Sequence, residues 1–156
     1  MPLIDKEMLL SDGQLITQSA ISASIINIGA VAAARQMGFV WFNCRCSVEL
    51  RGSSTPTFTV DLRHSANENM SSSTSLLTTQ AFASSSTVAV KAGTVLMSVA
   101  VPLEMLSQYV GLYYTVGNTI NAGSVDAWIG MAPISDPLNI QAAIPTPAPS
   151  SPPAIV

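Results

Sequence analysis

The side chains that could act as a nucleophile, a base or a metal ligand are few in this sequence. The only histidine, His64, adjoins a polar segment, and a hydrolytic triad would need it beside an activated serine. Serine is abundant along the whole chain, so we interpret His64 as a solvated loop residue. Nucleotide-binding and zinc-protease motifs are missing. The sequence therefore predicts no enzymatic activity and no cofactor.

Two cysteines, Cys44 and Cys46, lie two residues apart on a predicted strand. This spacing puts both side chains on one face, with Cα atoms about 6.6 Å apart, at the upper limit of disulfide geometry. A zinc site needs four ligands, and no second cysteine or histidine cluster supplies them. We predict two buried free thiols and no metal site.

Two carboxylates, Asp61 and Asp126, lie on predicted strands and face away from the predicted core. Either could orient a turn or pair with Arg63 or Arg51. Paired carboxylates can hydrolyse glycosides, but the sequence shows no aromatic cleft to accompany them. A structural role is favoured for both.

Four aromatic residues fall opposite the main aliphatic rows of their predicted strands: Trp41, Tyr109, Tyr113 and Trp128. In a fold of two sheets they could belong to the core, which is our first interpretation. If they are exposed, tryptophan and tyrosine are typical of protein interfaces and, less often, of carbohydrate platforms. They are the candidate interface residues within the main part of the chain.

The clearest strand pattern covers residues 39–50. Apolar residues alternate with mainly polar ones, which predicts one buried and one exposed face; the apolar row is Val40, Phe42, Cys44, Cys46, Val48 and Leu50. Residues 57–63 alternate in the same way and are predicted to pair with it, with their charges opposite Arg45 and Glu49.

Residues 107–130 predict a β-hairpin. Val110, Leu112, Tyr114 and Val116 form one apolar row, and Val125, Ala127, Ile129 and Met131 form the other. The residues between them are rich in Gly and Asn, which tolerate the positive φ of a chain reversal. A loop of six or seven residues is expected.

The remaining patterns predict shorter strands. Residues 1–13 are expected to form an extended segment or first strand, and 15–29, 75–79, 87–91 and 95–101 further strands. Residues 30–35 could form a helical turn or a loop, and residues 64–75 a surface loop. Seven or eight short antiparallel strands without a long amphipathic helix predict a sandwich, a jelly roll or a small barrel.

Charge is scarce: 10% of the 156 residues are charged, and the mean hydropathy is +0.42. Soluble domains usually carry about 25% charged residues, so we infer that much of the surface is covered by copies of the chain or by a partner. With a net charge of −3 and six scattered Lys and Arg, nucleic-acid binding is not expected. The sequence contains no run of 18 consecutive apolar residues, so no membrane span is expected.

The composition changes near residue 133, which predicts a domain over 1–132 followed by an arm over 133–156. The arm holds seven of the ten prolines, which exclude a central strand and favour polyproline II or disorder. It is either a dangling tail or an arm laid over a neighbouring subunit. We favour the second because it carries apolar anchors, namely Leu138, Ile140, Ile144, Ile155 and Val156.

Several of these motifs together resemble a bacteriophage capsid cement, or decoration, protein family known from a Bordetella phage. Residues 109–116 (YVGLYYTV) and 122–128 (AGSVDAW) are similar to its closing hairpin, and residues 8–14 (MLLSDGQ) with 26–30 (INIGA) to its opening. The resemblance covers most of residues 7–130 in order.

The resemblance implies a jelly roll, a virion location on the capsid exterior after synthesis in the host cytoplasm, and a structural role. The expected partners are the major capsid protein, whose capsomers the protein would bridge, and the chain itself, with a homodimer favoured and a trimer possible. The alternative is a jelly-roll carbohydrate- or receptor-binding module of a phage tail or fibre.

Overall fold

The computed structural model describes residues 8–30, 38–83 and 86–134, and these residues form two antiparallel β-sheets packed face to face. Eleven strands are present in this part of the chain: β1 (Leu9–Leu15), β2 (Ala20–Ile21), β3 (Ile26–Asn27), β4 (Phe39–Gly52), β5 (Thr57–Ser65), β6 (Thr74–Thr78), β7 (Phe82–Ala83), β8 (Val88–Val90), β9 (Val95–Pro102), β10 (Tyr109–Gly117) and β11 (Ile120–Gly130). A short 3-10 helix, Leu103–Met105, precedes β10.

The strand order is that of a jelly roll. One sheet, sheet A, has the order β1, β11, β4 and then β8 with β9; the other, sheet B, has β2 with β3, then β10, β5 and finally β6 with β7. Each of the three short pairs occupies a single strand position. The eleven strands therefore fill eight positions, which confirms the predicted all-β sandwich and explains the predicted count of seven or eight.

The core lies between the sheets and consists of the predicted apolar rows. Val40, Phe42, Cys44 and Leu50 are buried on β4. Leu112 and Tyr114 are buried on β10, and the Tyr114 ring stacks on Phe58 of β5 at 5.9 Å between centroids. Since alternate residues point to opposite faces, the residues between these positions form the outer faces of the sandwich.

Both predicted strand pairings are wrong, although the strands themselves exist. β4 pairs with β11, β8 and β9, whereas β5 pairs with β10, β6 and β7. β10 and β11 likewise belong to different sheets, and they are joined through Asn118 and Thr119 rather than through a loop of six or seven residues. Alternation identifies a strand and its buried face, but it does not identify the neighbouring strand.

The β4–β5 connection and the β10–β11 connection lie side by side, and each carries the chain from one sheet to the other. Asn118 has a left-handed φ of 58°, and its side chain donates a hydrogen bond to the carbonyl oxygen of Thr55 at 2.9 Å. The backbone N–H of Ser53 donates to the carbonyl oxygen of Thr119 at 3.3 Å. Segments 39–65 and 109–130 thus form one antiparallel ribbon that folds over across both sheets.

Local irregularities account for the other differences. Val48, predicted to be buried, is 57% exposed, because bulges interrupt the register between β4 and β11 on either side of Ser124. Met131 is exposed because β11 ends at Gly130. The strand expected over 15–29 is divided into β2 and β3, and residues 28–30 are helical. Residues 31–35, where a helical turn or a loop was expected, lie outside the described residues.

Candidate interaction surfaces on the outer faces of the sheets

The outer face of sheet A carries an ion pair beside an aromatic ring. Arg45 of β4 and Asp126 of β11 are register partners, and their charged groups are 3.4 Å apart. The guanidinium of Arg45 lies 5.6 Å from the ring centroid of Trp128, which is a cation–π distance. Asp126 also accepts a hydrogen bond from the backbone N–H of Gly13 at 2.8 Å. Its partner is therefore Arg45, not Arg51 as one prediction had it; Arg51 contacts Glu49.

An apolar strip runs along the same face towards the start of β4. Trp41 is half-buried and stands between its register partners Ala100 and Gly130, on the face opposite the buried Val40. Phe39, two residues before Trp41, is 48% exposed, and its register partner is Pro102. We call Phe39, Trp41, Ala100 and Pro102 the apolar strip. It contains no charged residue.

The outer face of sheet B carries a similar arrangement that is more deeply buried. Asp61 is only 5% exposed and accepts hydrogen bonds from Arg63 at 2.6 Å, from Thr78 at 3.0 Å and from Ser75. The guanidinium of Arg63 lies 4.7 Å from the ring centroid of Tyr113. The predicted pairing of Asp61 with Arg63 is confirmed. Asp61 has three donors, so it ties β5 to β6.

Tyr109 of β10 lies on the same sheet, and its register partners are Ser65 of β5 and Asn27 of β3. It is half-buried. Between Tyr109 and Tyr113, the outer side of Gly111 is covered by Ile21 and Met70, which approach within 3.6 Å of where a Cβ atom would lie. The two tyrosines are thus separated by apolar side chains and do not line one continuous groove.

The chain leaving β11 folds onto the outer face of sheet A. Asn43 of β4 is buried, donates a hydrogen bond to the carbonyl oxygen of Ala132 at 3.0 Å and accepts one from Ser98 of β9 at 2.8 Å. The backbone N–H of Ile134 donates to the hydroxyl oxygen of Ser98 at 3.1 Å. Residues 131–134 therefore cross from β11 over β4 to β9. We call this Asn43–Ser98 pair the polar clamp.

The model of the Bbp16 family matches residues 10–129. The chain belongs to the Bbp16 family. The family carries the name of a Bordetella phage protein, so the predicted relation to a phage protein family is confirmed at that level. No curated protein matches the chain.

The Bbp16 match ends one residue before β11 does, at residue 129. It covers the jelly roll and stops short of residues 131–134 and of the proline-rich segment. Among the predicted interface residues, Leu138, Ile140, Ile144, Ile155 and Val156 lie outside the described residues, as does most of the predicted arm. The division into residues 1–132 and 133–156 stays a prediction.

The interior of this Bbp16-family protein contains the groups that sequence reasoning had considered for chemistry. Cys44 and Cys46 are free and fully buried, as predicted. Burial raises the pKa of both thiols, and burial likewise raises the pKa of Tyr114 well above its usual value. The hydroxyl of Tyr114 is hydrogen-bonded to that of Ser11 at 2.8 Å. Thiols held in the neutral form are poor nucleophiles.

The prediction of a solvated loop position for His64 is wrong, because β5 extends through Ser65. His64 is half-buried, and its Nδ1 atom accepts a hydrogen bond from the backbone N–H of Ser107 at 2.9 Å. An acceptor nitrogen carries no proton, so this contact places the proton of neutral His64 on Nε2. The residue joins β5 to the segment that leads into β10.

Two further observations concern the described part of the chain. It contains no group of three or more His, Cys, Asp or Glu side chains arranged to hold a metal ion. Within the same ranges, none of the helical segments has the length and hydropathy required to traverse a bilayer. Sequence reasoning missed the polar clamp and the hydrogen bonds that Ser75 and Thr78 donate to Asp61, because these contacts depend on strand register. The outward position of Asn43 within an apolar strand was the only available signal.

Proposed function

We propose that this protein is a capsid cement protein that binds the outer surface of a tailed-phage head, bridges capsomers and stabilises the lattice of the major capsid protein. The observation that carries the proposal is the apolar strip, in which Phe39 is 48% exposed. A solvent-exposed aromatic strip on a regular sheet is the kind of surface that a protein partner covers. Membership of a phage protein family gives this surface a context.

The low charge of the chain supports the same role. Only 10% of its residues are charged, and a part that is built into a shell needs less charge to remain dispersed than a free protein does. Many copies would each add a modest contact, so that the summed stabilisation of the head becomes large. The role is structural, with no catalysis and no cofactor.

The alternative, a carbohydrate- or receptor-binding module, has less support from the aromatic residues. Stacking on a sugar requires a free ring face. The rings of Trp128 and Tyr113 each have a guanidinium close by, from Arg45 and Arg63 respectively. Trp41 is the remaining tryptophan, and its neighbours in the apolar strip suit a protein better than a polyhydroxylated ligand.

The test is reconstitution on heads of the phage that encodes the chain, prepared without this protein. We expect the purified full chain to cosediment with heads at a fixed stoichiometry and to raise their disruption temperature. Phe39→Ser should weaken binding at least tenfold. Leu77→Ser is the matched control, since Leu77 is 41% exposed but lies on β6 in the other sheet.

Failure of the full chain to bind heads at micromolar concentration would overturn the proposal. Equal losses of head binding for Phe39→Ser and Leu77→Ser would show that the apolar strip is not the contact surface. A glycan array with the same protein tests the alternative directly, because saturable binding that is lost in Trp41→Ala would favour the carbohydrate-binding module.

A further inference from the structure

The outer face of sheet A carries a second group of exposed apolar side chains, at the opposite end from the apolar strip. Leu15 of β1 and Val48 of β4 are both register partners of Ser124 on β11, so they flank it on either side. Leu15 is 66% exposed and Val48 57%. Ile16 is fully buried, so the side chain of its neighbour Leu15 points away from the core. We call Leu15 and Val48 the apolar pair.

The polar groups beside the apolar pair are bonded within the chain. The hydroxyl groups of Ser47 and Ser124 are hydrogen-bonded to each other at 2.9 Å. The carboxylate of Glu49, the residue after Val48, contacts the guanidinium of Arg51. This contact cancels the nearest charges on β4. Because the centre of a protein interface is depleted in charge, such surroundings favour an occupant that is apolar and uncharged.

The apolar pair and the apolar strip occupy the two ends of one face. Phe39 and Val48 are nine positions apart on β4, which is roughly 30 Å in an extended strand. The outward face between them is polar and carries the polar clamp and then the ion pair of Arg45 with Asp126. A single apolar segment laid along this face would have to desolvate the ion pair, whereas one segment at each end leaves the ion pair hydrated.

The opposite face of the sandwich lacks this pattern. Of the strand residues that the structure describes, Leu77 on β6 is the one large apolar side chain exposed in sheet B, whereas Leu15, Phe39 and Val48 are exposed in sheet A. Sheet A is therefore the side of the molecule that offers apolar surface to a partner, and it does so at two separate places.

We propose that the apolar pair is a second docking site, whose occupant is an uncharged apolar segment of a major capsid protein subunit in a different capsomer from the one bound at the apolar strip. The inference rests on the proposed function. A protein that bridges capsomers needs two separated contacts, and two contacts on one rigid sheet bind an assembled lattice more tightly than either contact alone. The apolar strip contains no charged residue and the charges nearest the apolar pair cancel, so a segment repeated in every capsid subunit suits both ends.

The first experiment separates attachment from bridging, on heads prepared without this protein. Val48→Ser should bind heads at least tenfold more weakly than the full chain. At a concentration that still fills the heads, it should also lose most of the gain in disruption temperature, because a molecule attached at the apolar strip alone does not link two capsomers. Leu15→Ser, on a different strand, should give the same result. Leu77→Ser is the matched control, and circular dichroism checks that all three variants are folded.

The second experiment asks whether the occupant is another copy of this chain. Light scattering coupled to size exclusion measures the mass of the free protein in solution. We expect Val48→Ser and the unmodified chain to have the same mass at micromolar concentration, because the apolar pair contacts the capsid protein and not a second copy.

Three outcomes would count against the proposal, and they can be told apart. If Val48→Ser and Leu15→Ser stabilise heads as well as Leu77→Ser does, the apolar pair is not a docking site, and the proposed function stands on the apolar strip alone. A lower mass of free Val48→Ser would make a second copy of this chain the occupant. If the full chain does not bind heads, the proposed function fails and the second docking site fails with it.

Discussion

A Cβ atom on Gly52 would lie 1.8 Å from the carbonyl oxygen of Thr119. Gly52 is the last residue of β4, where the β4–β5 connection begins, and Thr119 lies in the β10–β11 connection; both connections carry the chain from one sheet to the other. At this point the connections touch backbone to backbone, and only glycine leaves room for the contact. The whole folded ribbon of the jelly roll depends on this approach, because it aligns β4 with β11 and β5 with β10.

Gly52→Ala should therefore lower the free energy of unfolding by about 3 kcal/mol or more, since backbone rather than a flexible side chain must move to accommodate the methyl group. Chemical denaturation measures the change. Gly38→Ala is the matched control, because a Cβ there meets no atom within 4 Å; it should change stability by less than about 0.5 kcal/mol. Equal losses of unfolding free energy for Gly52→Ala and Gly38→Ala would show that the contact between Gly52 and Thr119 tolerates a side chain.

The contact between these two connections also shows how far the sequence alone could predict the fold. Alternation in 39–50 and 109–116 correctly identified the strands and their buried rows, apart from the exposed Val48 and the half-buried Val116. It gave no information about partners, because a short Gly- and Asn-containing connection suits a hairpin and a passage between sheets equally well. The register that brings Arg45 to Asp126, and the bulges that expose Val48, depend on which strands are neighbours.

The buried carboxylate of Asp61 should contribute more to stability than the partly exposed carboxylate of Asp126. Asp61→Ala leaves the guanidinium of Arg63 and two hydroxyl groups without their acceptor, and we expect it to cost about 2–4 kcal/mol. Asp126→Ala breaks a longer and more exposed pair with Arg45, with an expected cost of about 1 kcal/mol. Urea denaturation of the two variants measures both values. A larger loss for Asp126→Ala would contradict this ranking.

Tyr114→Phe tests a buried polar contact between the two sheets, the hydrogen bond between Tyr114 and Ser11. Ser11 donates its proton to the side-chain oxygen of Gln14 at 2.6 Å, so the hydroxyl of Tyr114 donates to Ser11. Removing the hydroxyl deletes its buried hydrogen bond to Ser11, and the stacking with Phe58 is kept. We expect a loss of about 1 kcal/mol in thermal or chemical unfolding. Tyr113→Phe, on the outer face, is the control and should be nearly neutral.

The buried thiols predict how stability depends on pH. Burial raises the folded-state pKa of Cys44 and Cys46 above the ordinary value of 9.0, so between the two values the unfolded chain has released protons that the folded chain keeps. Their contribution is complete below about pH 8.5 and is lost as the pH rises. For Cys44 the slope approaches about 1.4 kcal/mol per pH unit above pH 9, and Cys46 adds a loss of the same sign.

Tyr114 adds to this loss above about pH 10, because its folded-state pKa is raised in the same sense. The free energy of unfolding, measured by urea denaturation from pH 7 to 11, should stay flat with respect to these groups up to about pH 8.5 and then fall with increasing steepness. Cys44→Ala should lower stability at pH 7 through the lost packing, yet reduce the slope between pH 9 and 10, because one titrating group has been removed. An unchanged slope in this variant would mean that Cys44 ionises equally in the folded and the unfolded chain, which its complete burial beside Tyr114 opposes.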